Sequence, residues 1–111
     1  MSQQINPTVA EKNEDILARL EELGGGYIWD AEVFAVTLMG VALPDANVIG
    51  LVGLVGVSQI AMDASRVSID TLAKIAAIPG LQSLVLCNAV CDPRQLESLL
   101  SIGPDVEFVS E

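Results

Sequence analysis

The amino-acid sequence predicts an α/β protein that forms a short solenoid, in which three similar units of one strand and one helix stack side by side. The first reason is an apolar pattern that recurs every 24 residues. The second is the spacing inside each unit, where apolar residues two apart give way to apolar residues three apart, as in a strand followed by a helical turn. The third is an amphipathic helix before the first unit, which predicts a cap on one end of the stack.

The repeated pattern starts at Val33, Val57 and Leu81. Its fourth and sixth positions are filled, unit by unit, by Val36, Ile60 and Leu84 and by Leu38, Met62 and Leu86. A fixed period of roughly 20 to 50 residues indicates a solenoid. We therefore expect the residues of each column to be neighbours on adjacent parallel strands, with Leu84 and Leu86 in the core.

This pattern resembles a leucine-rich repeat. The order L-x-x-L-x-L, then a small or polar residue, then an apolar one, stands here as Leu81, Leu84, Leu86, Ala89 and Cys91, and again as Val57, Ile60, Met62, Ser65 and Val67. The segment VSIDTLAKIAAIPGLQSLVL is similar to the 24-residue bacterial and cysteine-containing types. The resemblance covers residues 33 to about 109 and departs at the asparagine-ladder position, which holds Val41, Ser65 and Ala89. It implies a curved solenoid with parallel strands on the concave face and a role in protein binding, and it transfers no catalytic residue.

The chain is divided by this interpretation into a flexible tail (residues 1–6), an N-terminal helical cap (residues 7–32) and a leucine-rich-repeat-like domain (residues 33–111). Asn6 and Pro7 suit the start of the cap helix, and three glycines from Gly24 onward stop it. Its apolar stripe consists of Val9, Ile16, Leu17, Leu20 and Leu23. Tyr27 and Trp29 are expected to seal the cap against the first unit, with a binding hot spot as the alternative.

Helix starts within the units are marked by polar residues. Asp92 precedes Pro93 and Gln95, which is a well-formed helix start. In the other two units the corresponding place is occupied by Ser68 or Asp70 and by Asp45. We interpret these acids as caps. Three glycines at spacing three, Gly50, Gly53 and Gly56, predict that the first unit has the least regular outer segment.

The last residues, 105–111, are predicted to form a final strand in which Val106 and Val109 match Leu81 and Leu84. Asp105, Glu107 and Glu111 would discourage unwanted pairing at this edge of the sheet.

Fifteen acidic residues against five basic ones give a net charge of −10, with no Lys or Arg between Arg19 and Arg66. Clustered cations are required to bind nucleic acid, so we predict no nucleic-acid partner. A basic protein partner is favoured over other charged partners, although solubility alone is the simpler explanation of the charge.

Residues 33–43 and 46–62 are apolar but short and lack basic flanks, and no secretory signal is visible, so we expect no membrane association and a cytoplasmic location.

Catalysis and metal binding are not expected. The chain has no His, and its only cysteines, Cys87 and Cys91, cannot complete a common zinc site. Cys91 falls in an apolar column and is predicted to be buried, whereas Cys87 is predicted to face outward; a disulfide between them is the less favoured alternative. The carboxylates of Asp63, Asp70 and Asp92 lie in different columns, so we predict no enzyme activity and no cofactor.

The outward positions of the strands form the predicted partner-binding surface on the concave face, because successive strand side chains point to opposite faces. Its residues are Thr37, Met39, Gln59, Ala61, Asp63, Ser83, Val85 and Cys87, with Glu107 as a further candidate. We predict a non-catalytic protein-interaction module that binds a partner through this face or through an end of the solenoid. The chain is expected to be a monomer that dimerises weakly at most.

Two alternatives remain open. An acidic inhibitor or immunity-type protein that masks a basic toxin or enzyme would also explain the charge. A regulatory domain of the anti-sigma-antagonist (STAS) type is a second resemblance, since such domains alternate strands with helices and place a phosphorylatable Ser at a helix start. Ser65 or Ser68 would stand in that place, although the Asp-Ser-x-Gly run of that family is absent.

Overall fold

A computed structural model describes residues 9–30, 33–90 and 92–109 of the chain. The elements, in chain order, are α1 (Val9–Glu22), β1 (Gly26–Asp30), β2 (Val33–Ala42), α2 (Asp45–Val48), a 3-10 helix (Ile49–Gly53), β3 (Gln59–Asp63), α3 (Ile69–Ala76), β4 (Ser83–Cys87), α4 (Pro93–Leu100) and β5 (Asp105–Val109). The predicted tail at residues 1–6 and the predicted helix start at Asn6 and Pro7 lie outside the described residues.

The strands form one five-stranded mixed sheet in the order β1-β2-β3-β4-β5. β1 pairs with β2 in antiparallel fashion, and β2 to β5 are parallel. The predicted fold class, a leucine-rich-repeat solenoid with parallel strands on the concave face behind an N-terminal helical cap, is therefore wrong: the described chain is a small α/β protein with a mixed sheet, and no solenoid is found in it. The prediction failed because the segment after the glycines pairs with β2 as a strand, so the N-terminal unit is a helix plus a strand.

The 24-residue spacing reappears in the register of the parallel strands. Val36 on β2 pairs with Ile60 on β3, which pairs with Leu84 on β4, so the expected neighbours are confirmed. The spacing fails at β5, where Val106 lies opposite Leu84. The final strand was predicted, but its proposed alignment, with Val109 opposite Leu84, is wrong because the connection after α4 is shorter than the repeat requires.

One face of the sheet carries the hydrophobic core. Its buried side chains are Phe34, Val36, Leu38, Ile60, Met62, Leu84 and Leu86, and they cluster with Leu17, Leu20, Leu72, Ile75 and Leu99 of the helices. Leu84 and Leu86 are completely buried, as predicted. Removing this apolar surface from water provides the main driving force for docking the helices on the sheet.

The end of α1 fixes how the chain enters β1. Gly24 has a φ of +96°, and the Gly25 N–H donates to the Leu20 carbonyl at 2.9 Å while the Gly24 N–H donates to the Glu21 carbonyl at 3.1 Å. This is a Schellman motif, which glycine favours at the left-handed position. A Cβ on Gly25 would lie 2.5 Å from Cδ2 of Leu38, so the glycine also permits close approach of the chain to β2.

Asn13 holds α1 to the segment after the 3-10 helix. Its side chain is fully buried; Nδ2 donates to the Val55 carbonyl and Oδ1 accepts from the Val55 N–H, both at 2.8 Å. The amide thus satisfies both main-chain groups of one residue. The sequence contained a signal for this contact, since Asn13 lies in the apolar stripe of α1, four residues before Leu17.

The outer segment of the first unit is irregular, as the glycines predicted. It consists of the four-residue α2 and the 3-10 helix. A Cβ on Gly53 would lie 3.1 Å from Cδ1 of Ile16, which supports packing against α1 as the reason for that glycine.

We expect Leu84→Ala to lower the free energy of unfolding by about 2 to 5 kcal/mol, because the truncation leaves a cavity in the core. Val85→Ala on the same strand is the matched control and should cost much less, since Val85 lies on the opposite face and is only partly buried. Urea denaturation followed by circular dichroism measures both. Equal losses would contradict the observed strand register.

Asn13→Ala is expected to lower the free energy of unfolding by about 1 to 3 kcal/mol, since it leaves the Val55 N–H and carbonyl without their partner. Glu14→Ala, on the exposed side of the same helix turn, is the control. Amide hydrogen exchange at Val55 provides a local readout. We call this pair of hydrogen bonds between Asn13 and Val55 the Asn13 clamp. Unchanged protection of the Val55 amide in Asn13→Ala would show that the clamp does not hold the segment after the 3-10 helix.

Candidate partner-binding face

The second face of the sheet is not covered by any described helix. We call it the open face and define it by the outward residues of the five strands, namely Ile28, Ala35, Thr37, Gln59, Ala61, Ser83, Val85, Asp105 and Glu107. These side chains alternate with those of the core along each strand, as the pleat of a sheet requires. Every residue of the open face remains at least partly exposed.

Most of the predicted site residues meet at the centre of this face. Thr37, Ala61 and Val85 form one row across β2, β3 and β4. Gln59 and Ser83 belong to the next row, beside Ala35. Because the central side chains are small, they leave a depression of about 140 Å³ that Ile28 borders from β1.

The remaining predicted residues do not join this depression. Cys87 pairs with Asp63 on β3, but its side chain is only 1 % exposed and is therefore not accessible to a partner. The strand ends there: the Cys87 carbonyl accepts from the Ala64 N–H at 2.8 Å, and Asn88 turns the chain with a φ of +57°. The side chain of Met39 and the whole of Cys91 lie outside the described part of the structure.

Asp63, another predicted site residue, is engaged locally at the end of β3. Its Oδ1 accepts from the Ser65 hydroxyl at 2.6 Å and from the Ser65 N–H at 2.9 Å. The bond from the Ser65 hydroxyl, followed by that from the N–H, lowers the pKa of Asp63 below its usual value. Asp63 therefore stays ionised and orders the turn after β3.

Ile28 places β1 on the open face, although sequence reasoning took no binding residue from this segment other than the alternative of a hot spot at Tyr27 and Trp29. It is 65 % exposed and lies opposite Ala35. Its neighbour Tyr27 contacts Phe34 edge-on with ring centroids 6.4 Å apart, so the sealing role expected of Tyr27 agrees with this contact. Tyr, Ile and Trp all favour strands, which was the signal of β1, but the segment was interpreted as a seal or a binding hot spot and not as a strand.

The electrostatics of the open face are one-sided. None of the five strands contains Lys or Arg, whereas Asp105 and Glu107 both project from β5 and are exposed. Asp105 lies opposite Ser83, and Glu107 lies opposite Val85. Among the side chains that the structure describes on this face, those of β1 and β2 are therefore uncharged and those of β5 are negative.

A separate polar cluster joins α2 to α3. The Asp45 carboxylate accepts from the Ser68 N–H at 2.7 Å, from the Thr71 hydroxyl at 3.0 Å and from the Ser68 hydroxyl. Ser68 is the N-cap of α3, which was one of the predicted alternatives. The predicted helix start at Asp92 is confirmed, and Asp92 forms a capping box with Gln95 there. Asp45 acts at the start of α3, whereas the N-cap of its own helix is Pro44.

The hydrogen bond from the Ser68 hydroxyl is the main cause that holds the pKa of Asp45 below its usual value, and bonds from the Ser68 N–H and the Thr71 hydroxyl act in the same direction. The carboxylate is therefore ionised near neutral pH. From the start of α2, the carboxylate accepts hydrogen bonds at the start of α3, so its role is structural.

A second depression, of about 190 Å³, lies between α1 and the 3-10 helix. Its floor is formed by Ile16, Leu20 and Leu51, and its rim includes both Asp15 and Arg19. Gly50, which has no side chain to fill the space, lies beside it. We interpret it as a packing gap between the two helical elements.

Among the described residues, no group of three or more His, Cys, Asp and Glu side chains is arranged to hold a metal ion. None of the described helices has the length and apolar character needed to cross a membrane.

Comparison of the chain with protein-family models, with curated proteins and with solved structures finds no match in any of the three. The resemblance to leucine-rich repeats is therefore not supported by a relative. The argument for the candidate site comes from the geometry of the open face alone.

The Asp45 cluster predicts a pH-dependent stability. Because the pKa of folded Asp45 lies below the unfolded value of about 3.9, its contribution is complete above that value and is lost as pH falls through the folded pKa. The stability advantage of the wild type over Asp45→Asn should therefore shrink as pH is lowered from about 6 to about 2. Urea denaturation at several pH values measures this difference. A constant difference across the range would contradict the proposed role of the carboxylate.

Proposed function

We propose that the protein is a non-catalytic interaction module that binds another protein through the open face. The observation that carries this proposal is the central depression on a sheet face that no described helix covers. An apolar surface that is left exposed and rimmed by polar residues is typical of a protein-binding site. The core lies on the other side of the sheet, so a partner could cover the open face without rearranging the fold.

The side chains of the open face suit binding better than catalysis. Ala35, Ala61 and Val85 provide a smooth apolar surface, and Thr37, Gln59 and Ser83 provide neutral hydrogen-bonding groups around it. A helix or strand of another chain could lie across such a surface with one side chain in the depression. No carboxylate lines the central depression, since Asp45 and Asp92 accept hydrogen bonds at helix starts and Asp105 and Glu107 lie on β5 outside it, so the depression lacks an acid or base for catalysis.

An acidic inhibitor that masks a basic toxin or enzyme is a second candidate, and the exposed acids of β5 favour it. The two functions differ in the dependence of association on salt. An electrostatically steered inhibitor should associate much more slowly as ionic strength rises, whereas binding dominated by the apolar depression should change little. Once a partner has been identified, association rates measured at several salt concentrations distinguish the two functions.

A regulatory domain of the STAS type is a third candidate, favoured by the position of Ser68 at the start of α3. Phosphorylation there would place a doubly charged group against the Asp45 carboxylate and disrupt the cluster. Ser68→Asp should then alter partner binding while Ser98→Asp, on the exposed side of α4, does not. Identical binding by both variants would remove this candidate.

Val85→Arg and Gln59→Arg are expected to abolish capture of the partner from a lysate of the native cell, because each places a long charged side chain in or beside the depression. Ala77→Arg, exposed at the end of α3, adds the same charge on the helical side and should leave capture intact. Quantitative mass spectrometry of the captured proteins is the measurement, with circular dichroism to check folding. Capture that is equal for all three variants would exclude the open face as the site.

A further inference from the structure

We infer that the segment bound by the open face combines one large apolar side chain, which enters the central depression, with Lys or Arg residues that pair with Asp105 and Glu107 of β5. This inference rests on the proposed function, because it specifies the chemistry of the partner at the same surface.

The size of the depression indicates one apolar side chain. Its volume of about 140 Å³ is close to that of an apolar protein cavity of about 150 Å³ that accommodates benzene. Its lining is aliphatic at the centre, where Ala35, Ala61 and Val85 meet. A side chain the size of Leu, Ile or Phe would fill the space, whereas a charged group there would lose its hydration without gaining an ion pair.

The charge of β5 indicates basic neighbours for that side chain. Glu107 is opposite Val85 and Asp105 is opposite Ser83, so both acidic residues belong to the strand next to the edge of the depression, with about 4.8 Å between the two strand backbones. Neither carboxylate forms an ion pair with a described Lys or Arg residue. The strands themselves supply no cation that could neutralise them.

The arrangement also gives the partner an orientation. Among the described side chains, Ile28 extends the apolar surface on the β1 side, whereas Asp105 and Glu107 lie on the β5 side. An acidic partner segment would bring like charges together at β5 and would be rejected. The bound segment should therefore place its apolar residues towards β1 and its basic residues over β5.

Selection of random linear peptides displayed on phage, with the full chain as the target, tests this inference. We expect the enriched peptides to contain Leu, Ile or Phe with Lys or Arg a few residues away. Their affinity for the double variant Asp105→Asn, Glu107→Gln should fall roughly fivefold at physiological salt, as the loss of two exposed ion pairs implies. The matched control, Asp70→Asn with Glu97→Gln, removes the same charge from α3 and α4 and should change affinity less than about twofold.

The outcomes separate this inference from the proposed function. Peptides that lack basic residues but lose binding to Val85→Arg and to Gln59→Arg would overturn the inference and leave the open face as the site. Equal losses in the two charge-removing double variants would also overturn it, because net charge alone would then explain the affinity. Peptides unaffected by any open-face variant, or a selection that enriches no sequence, would contradict both.

Discussion

The parallel register of β2, β3 and β4 is the constraint on which the rest of the structure depends. It aligns apolar residues such as Ile60 and Leu84 on one face, and the buried surface that results holds the helices there. Since the four described α-helices and the 3-10 helix all contribute side chains to the core on that face, the other face is left uncovered by described elements. The candidate binding surface is thus a direct result of how the core is built, and the small residues at its centre decide its shape.

Polar side chains supplement this apolar core by joining segments distant in the sequence. Asn13 ties α1 to Val55, and Asp45 ties the start of α2 to Ser68 and Thr71 at the start of α3. Both contacts satisfy main-chain groups that would otherwise lack partners at the ends of short or irregular helices. Such bonds fix the positions of the outer segments where the glycine-rich first unit offers little side-chain packing.

Sequence periodicity predicted the elements from β2 onward, because burial of one strand face and one helix stripe produces a repeating apolar pattern. It also predicted that Thr37, Ala61 and Val85 share one row across the sheet. It could not predict the antiparallel pairing of β1, since one strand beside the stack adds no further period. The burial of Cys87 and the register of β5 depend on how the chain turns at strand ends, which alternation alone does not determine.

The Asn13 clamp has a consequence for how this sequence can drift over evolutionary time. The Asn13 amide recognises only the main chain of Val55, whose own side chain is 40 % exposed and takes no part in the bond. Position 55 is therefore free to accept many residue types. At position 13, by contrast, an ionised Asp lacks a hydrogen-bond donor and Gln is longer, so neither reproduces the pair of bonds. Orthologous chains should accordingly vary at the accepting residue and keep the asparagine.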